Sequence, residues 1–458
     1  MNTPINRNKA ELIATLTTAI ESGSLIRVQR MLNALHPAEI AHLLESSPLQ
    51  QRKIAWELIN KENEGLVLVE LGEDVRSSLV EEMDTDEVIE AVKDLDADDM
   101  ADFLQSLPNT VINETLEGMS RQERERVEAV LGYDEDTAGG MMDTQAVTIR
   151  SDVTIEVVLR YLRMQENLPS HTDSLVVVDS YDRYLGVLAL SKLLTSQPED
   201  SVAQRMSSKR EAILATTSSH DVAALFEDRD LISAPVINED RKFLGRITID
   251  DVVDVIRDEA EHSVMSMAGL HEEDDLFAPV LPSVKRRALW LGTNLATAFL
   301  AAWVVSQFTE TIESAVALAV LMGIVPSMGG IAGSQTLTLA IRGIAVGQLV
   351  KSNAISLLNK ELILGLINGL LWAFIVFLIS AFAFNNISIG IIIAIAMLIN
   401  LLIAPLAGVA LPLFLRRFNI DPALAGGVLL TTITDVIGYA AVLGLATIGL
   451  PFLNNFFA

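Results

Sequence analysis

The sequence predicts a multidomain chain in three parts: an α-helical superhelical N-terminal domain, a tandem α/β pair, and a transmembrane domain of five helices. Three observations carry that prediction. Charge divides the chain: 60 acidic and 33 basic side chains give a net charge of -27, but from Ala288 onward five charges of each sign cancel, leaving 55 acidic and 28 basic residues in the first 287 positions. Apolar runs long enough to cross a bilayer, which takes roughly 20 helical residues, occur only in the neutral part. Two internal repeats of different periodicity occupy the acidic part.

The first repeat is helical. LHPAEIAHLLESSP at Leu35 to Pro48 recurs as LDADDMADFLQSLP at Leu95 to Pro108, with apolar residues three and four apart. This spacing predicts stacked helical hairpins over residues 1–132. The second repeat is mixed. SLVVVDSYDRYLGVLAL at Ser174 to Leu190 matches SAPVINEDRKFLGRITI at Ser233 to Ile249, each a strand, a polar turn and a glycine-containing strand. Helical patterns at Thr154 to Met164 and His220 to Glu227 precede the two copies. The pair is expected over residues 133–262, and Ser263 to Ser283 links it to the membrane part, which runs over 285–458.

Five spans are expected, at 288–308, 314–341 with a break at Pro326, 360–384, 387–414 and 422–449. The connections agree with this count, because basic residues concentrate in cytoplasmic loops. Lys285 to Arg287, then Arg342, Lys351 and Lys360, then Arg416 and Arg417 all fall on one side. Five spans therefore predict a cytoplasmic N-terminus, an outside C-terminus and an inner or plasma membrane location. The opening residues contain no apolar signal core. Zero cysteines exclude disulfides, thiolate zinc sites and cysteine nucleophiles. The acidic surface disfavours nucleic acid, whose phosphates need a basic one.

Asp435 is the outlier of the membrane part. A carboxylate deep in a bilayer costs on the order of 2.5 to 3.5 kcal/mol and marks an ion path by default. Thirteen residues from Pro422, at about 1.5 Å each, place it roughly 20 Å in. Its helix reads DPALAGGVLLTTITDVIG, and the second span carries VPSMGGIAGSQTLT, where Pro326 interrupts the helix near the same depth. Two irregular helices at one level predict a permeation site, with Asn294, Pro326, Gly329, Gly330, Ser334, Gln335, Ala425, Gly426, Thr431, Thr432 and Gly438 as pore-lining candidates. For the glycines alone, small-residue helix packing is the better reading. Oxygen donors without cysteine suit a hard cation, and Mg²⁺, which keeps most of its water, needs only one or two carboxylates. A potential of 100 mV supplies about 4.6 kcal/mol to a divalent ion, so no coupling is required. No phosphate-binding loop and no nucleophile–base arrangement point to an enzyme.

Acid clusters mark the soluble part. Glu81 to Asp102 contains eleven acids, and candidate regulatory metal ligands are Asp86, Glu87, Asp94, Asp98, Asp99, Asp134, Asp136, Asp250, Asp251, Asp254, Asp258 and Glu259. Each cluster taken alone is a solvated face; faces brought within a Debye length of about 8 Å repel until a divalent ion reverses the sign. Gly245, Thr248 and Asp251 have the residue types to hold a ribose, and an N-capped helix explains the same spacing equally well.

The order of these parts, with DPALAGGVLLTTITDVIG, VPSMGGIAGSQ and GYDEDTAGGMM at Gly132 to Met142, resembles the MgtE family of magnesium channels over essentially the whole chain. That resemblance implies a tandem CBS pair, a plug-like connecting helix over 263–284, and a homodimer whose membrane parts form one pore with Asp435 binding hydrated Mg²⁺. It further implies closure by cytoplasmic Mg²⁺ at acidic interfaces and ATP or another adenosine nucleotide at Gly245 to Asp251. The chain departs from the family at Ile331 and Ser334, where amides are frequent, and at Gly426-Gly427-Val428, where Ser-Gly-Pro is common. Two alternatives stand beside a Mg²⁺ channel: a channel or exchanger for Co²⁺ or Mn²⁺, and a membrane-anchored nucleotide or ion sensor without transport.

Overall fold

The computed structural model describes residues 9–457 except 94, 96, 106, 108, 166, 271–273 and 419. Contacts divide it into two compact units, Met1–Glu261 with Glu273–Pro279, and His262–Glu272 with Val280–Ala458.

The first unit opens with helices α1 (Lys9–Glu21), α2 (Leu25–Leu32), α3 (Pro37–Glu45), α4 (Leu49–Trp56), α5 (Lys61–Val69), α6 (Glu73–Val80), α7 (Thr85–Val92), α8 (Ala97–Gln105), α9 (Asn109–Gly118) and α10 (Arg121–Leu131). Their starts follow from local chemistry. Pro37 sits at the first helical position of α3, where its missing N–H costs nothing, and the Glu39 carboxylate accepts the His36 N–H at 3.0 Å. Ile40, Ala41, Leu43 and Leu44 form the buried face of that helix. α5 and α7 touch backbone to backbone at Gly65, where a Cβ would lie 1.9 Å from the Ala91 carbonyl oxygen.

The mixed repeat follows as β1 (Thr148–Arg150), α11 (Ile155–Met164), β2 (Ser174–Val178), β3 (Tyr184–Ala189), α12 (Leu190–Thr195) and α13 (Val202–Arg205), then β4 (Ile213–Leu214), α14 (Ser219–Arg229), β5 (Ser233–Ile237), β6 (Phe243–Thr248) and α15 (Ile249–Met267). Each copy is a three-stranded sheet, ordered β1-β2-β3 or β4-β5-β6, with its first pair parallel and its second antiparallel. The repeat extends to register: Val177 faces Gly186 as Val236 faces Gly245, and the ladder shifts after both. A Cβ at Gly186 would lie 2.4 Å from the Ser207 carbonyl oxygen, and one at Gly245 would lie 2.7 Å from that of Asp143. The chain itself therefore occupies the space at Gly245 expected to admit a ligand, through the Asp143–Arg246 bridge.

The second unit contains α16 (Val280–Ser306), α17 (Thr309–Ser314), α18 (Val316–Leu321), α19 (Ile324–Ala345), α20 (Ala354–Ala383), α21 (Ile387–Arg417) and α22 (Pro422–Phe457). They supply five apolar spans, α18 and α19 counting as one. Three expectations need correction. The second span breaks at Met322 and Gly323, not at Pro326: Pro326 lies in the first turn of α19, where a helix tolerates a residue without an N–H. The segment 263–284 is not one helix, because α15 ends at Met267 and α16 begins at Val280. The third span begins at Ala354, so Lys360 and Glu361 are helical and not part of the connection.

The segment that follows α15 is held by an ion pair. Arg52 is fully buried, and its Nη1 and Nη2 reach the Asp275 carboxylate at 2.7 and 2.9 Å. Its Nε donates to the Leu44 carbonyl at 2.9 Å, so the guanidinium plane is fixed before Asp275 arrives. Removing one partner of such a pair leaves an uncompensated buried charge, whereas removing both does not. Arg52→Met should destabilise the first unit by about 3 to 5 kcal/mol, and Arg52→Met with Asp275→Leu should recover most of that loss in a calorimetric melt.

Candidate functional site

The membrane site is built on two antiparallel helices in close contact. Going up α19 and down α22, Pro326 meets Gly438, Gly330 meets Thr434, Gly333 meets Leu430 and Leu337 meets Gly426. A Cβ on Gly438 would lie 2.8 Å from Pro326 Cγ, one on Gly333 2.8 Å from Leu430 Cδ1 and one on Gly426 3.1 Å from Leu337 Cδ1. These glycines let the helices approach, as small-residue packing predicts. Of the pore-lining candidates, Pro326, Gly329, Gly426 and Gly438 are buried among neighbouring helices. Ser334, Gln335 and Thr431 are exposed on the isolated chain, while Asn294, Gly330, Ala425, Thr432 and Asp435 are half-buried. Asn294 turns its amide back to the Trp290 carbonyl at 3.1 Å.

Asp435 shares one face of α22 with Thr431 and Thr432, four and three residues before it. Both hydroxyls donate to their own helix, to the carbonyls of Gly427 at 3.0 Å and Val428 at 2.7 Å, and thus present lone pairs outward. Among the described residues no hydrogen bond or ion pair engages the Asp435 carboxylate. The face therefore offers two threonine oxygen acceptors and one negative charge, which suits a hydrated hard cation.

Several buried polar groups in the spans escape the sequence reading, with Asn400 and Glu361 the largest among them. Asn400 in α21 is fully buried and donates from Nδ2 to the Val325 carbonyl at 2.8 Å. Glu361 in α20 is buried and accepts from the Thr336 hydroxyl at 2.9 Å. The signal for each was a polar residue inside an apolar run; Glu361 was masked by its position beside Lys360 at an expected span end.

In the first unit the regulatory candidates do not collect into one place. Among the described residues no three His, Asp or Glu side chains form a ready-made metal site. Asp94 lies outside the described residues, as does the Asp98 side chain. Asp86 and Glu87 are exposed at the start of α7, where Glu87 caps the Asp84 N–H at 3.2 Å. Asp134 accepts the Asp136 N–H at 3.2 Å, and Glu259 pairs with His220 at 2.7 Å. Of the other α15 acids, Asp254 and Asp258 both meet Arg257 at 3.3 Å and Asp250 meets His171 at 3.5 Å. Partial desolvation, and then the negative Asp254, hold Glu70 above the usual carboxylate range. Asp254 is itself raised by desolvation, with Asp258 and Asp250 adding repulsion against Arg257. Paired carboxylates without a closed ligand set fit Mg²⁺, which takes one or two of them and keeps water in its other positions.

Asp251 is the most perturbed of these acids. Burial pushes its pKa up to about 7, and Asp250 and Asp99 add to the shift while bonds from Thr248 oppose it. Its Oδ2 accepts both the Thr248 N–H at 3.0 Å and the Thr248 hydroxyl at 3.1 Å, which is a helix-capping arrangement. Oδ1 takes part in neither bond.

Comparison with known proteins decides the family. The MgtE family profile, described as a divalent cation transporter, matches residues 322–445; that of the MgtE intracellular N domain matches 35–136, and the CBS domain matches 138–199 and 202–258. The chain belongs to the MgtE family. Magnesium transporter MgtE of Bacillus subtilis is 24% identical over 442 residues, covering 96% of this chain and 98% of that protein. The protein of the same name from Thermus thermophilus is 28% identical over 442 residues, covering 95% and 98%. A crystal structure of the cytosolic domain of the Mg²⁺ channel MgtE in complex with ATP is 29% identical, with a TM-score of 0.48, and covers 53% of this chain and 99% of that one. This MgtE-family chain is accordingly a multi-pass membrane protein with a helical N-domain, a CBS pair and five apolar helices.

An acid whose folded pKa is raised binds more protons folded than unfolded, so its contribution to stability is present below pH 4 and lost as pH rises through 7. Asp251→Asn keeps an acceptor for the cap and removes the charge. The variant should melt above wild type at pH 8 and lose less stability between pH 5 and 8, by a few kcal/mol at most. Parallel melting curves for the two proteins across that range would contradict the burial of an ionisable Asp251.

Proposed function

We propose that the chain is a passive, Mg²⁺-selective channel for inward magnesium transport, closed when cytoplasmic Mg²⁺ binds its acidic surfaces. The carrying observation is Asp435: a half-buried carboxylate on a membrane helix, flanked by two outward-facing threonine oxygens, with no partner among the described residues. One carboxylate per chain is a weak site, and a homodimer that forms one pore would bring two to a single hydrated ion. The names of the relatives, magnesium transporters, favour Mg²⁺ over Co²⁺ or Mn²⁺ as the cargo. The cytoplasmic N-terminus and outside C-terminus that the basic loops predict put the acidic surfaces on the side where Mg²⁺ would act as a signal.

Gating follows from the facing acids. Glu70 and Asp254, like Asp99 and Asp251, repel one another across the first unit. A divalent ion between them converts repulsion into attraction, compacts the unit and biases the pore toward closure. An adenosine nucleotide at the CBS pair would use Asp251 Oδ1 as a ribose acceptor, since Oδ2 is committed to the Thr248 cap.

In proteoliposomes loaded with a Mg²⁺ indicator, wild type should take up Mg²⁺ down its gradient without an added energy source, and Asp435→Ala should reduce uptake at least about tenfold. Undiminished uptake by Asp435→Ala would remove the pore assignment; complete absence of uptake by wild type would favour a tethered sensor. Millimolar Mg²⁺ on the cytoplasmic face should lower flux and slow proteolysis of the first unit relative to chelator. Identical cleavage in both conditions would contradict the gating mechanism.

A further inference from the structure

Asn400 stands where three membrane helices meet. It lies fully buried on α21 between Met397 and Leu401, which are themselves buried and apolar. Its Nδ2 donates to the Val325 carbonyl in the first turn of α19 at 2.8 Å. That bond fixes the orientation of the amide, because the oxygen turned toward another carbonyl would find no proton. The same amide fills the notch left by two glycines. A Cβ on Gly329 of α19 would lie 2.2 Å from Nδ2, and a Cβ on Gly438 of α22 would lie 3.1 Å from it. Among the described residues Asn400 Oδ1 has no hydrogen-bond partner.

Stability does not explain this residue. A leucine of similar volume would bury the same space without an unpaired oxygen, and a buried polar group that is only half satisfied opposes folding. Its position offers another reason. Gly438 follows Asp435 by three residues, less than one helical turn, and Gly330, next to Gly329, meets Thr434 beside Asp435. The Asn400 amide therefore packs against α19 at Gly329 and against α22 at Gly438, backing the point where Pro326 and Gly438 bring the two helices together at the level of the cation face. Its bond to Val325 ties α21 to the first turn of α19.

We propose that Asn400 is a positioning residue for the cation site: its amide, seated against both α19 and α22, holds their contact beside Asp435, and with it the size of the hydrated divalent ion that the site accepts. This inference rests on Asp435 being a permeation site. It concerns discrimination among ions, so its signature is a ratio and not a loss.

The test compares Mg²⁺, Mn²⁺ and Co²⁺ uptake by wild type, Asp435→Ala, Asn400→Leu, Gly329→Ala and the double variant Gly329→Ala/Asn400→Ala, all as full-length protein in vesicles and all checked for a monodisperse folded state. Asn400→Leu keeps the volume and loses the bond to Val325. It should shift the Mg²⁺ to Mn²⁺ uptake ratio at least about threefold and move the half-saturating concentration, while the maximal Mg²⁺ rate changes less. Gly329→Ala should crowd the amide and depress flux of all three ions; the double variant should recover flux but keep an altered ratio. Wild-type ratios in a folded Asn400→Leu, with uptake abolished in Asp435→Ala, would overturn this proposal and leave the permeation site intact. If Asn400→Leu does not fold, the double variant decides: a wild-type ratio there overturns the proposal, and a shifted ratio supports it. No uptake by wild type would remove the permeation site and the proposal together.

Discussion

A carboxylate in an apolar helix bundle needs water or a cation beside it, and the membrane unit is arranged around that requirement at Asp435. The residue is neither sealed by packing nor neutralised by a basic neighbour among the described residues. Its helix is instead drawn against α19 by glycines placed so that Pro326, Gly330 and Gly333 meet Gly438, Thr434 and Leu430 in turn. This close contact fixes the backbone on either side of Asp435 while its outward face carries the oxygens of Thr431 and Thr432. A rigid backbone and an open acidic face are the two properties required to hold an ion that keeps its water.

The soluble unit uses the same electrostatics with the opposite consequence. Its carboxylates are numerous and mutually repelling, and the raised pKa values of Glu70, Asp251 and Asp254 record the cost of bringing them together. On the proposed reading, an assembly of this kind is stabilised by protons or by cations, so its compactness would depend on the ion that the membrane unit would pass. The buried Arg52–Asp275 pair is a fixed point in that unit, a charge already satisfied by the chain itself. The linker between α15 and the first span is thereby anchored by a contact that does not depend on added metal.

Much of the architecture was legible in the residues because periodicity survives burial. The two mixed repeats aligned in sequence share strand order and even the register at Gly186 and Gly245. Asp435 stood out because an acid in an apolar run has few explanations. What the sequence could not show was which neighbour each residue meets. Pro326 looked like the break, yet Gly323 supplies it and Pro326 merely occupies the first turn. Gly245 looked like space for a ligand, yet Asp143 fills it. The glycines at 329, 426 and 438 form small-residue contacts between helices, the reading favoured for the glycines alone, but the partners of each were not visible in the sequence. Asn400 and Glu361 passed unnoticed because their importance lies in partners 75 and 25 residues away, beyond the reach of any local pattern.

The central claim is that Asp435 faces an ion that remains hydrated. Electron–nuclear double resonance on Mn²⁺, a paramagnetic stand-in for Mg²⁺, measures this directly by comparing purified wild type with Asp435→Asn. The account predicts a bound Mn²⁺ population in wild type that retains its water protons and is missing from the variant. Identical spectra from the two proteins, or a wild-type population stripped of water, would contradict it.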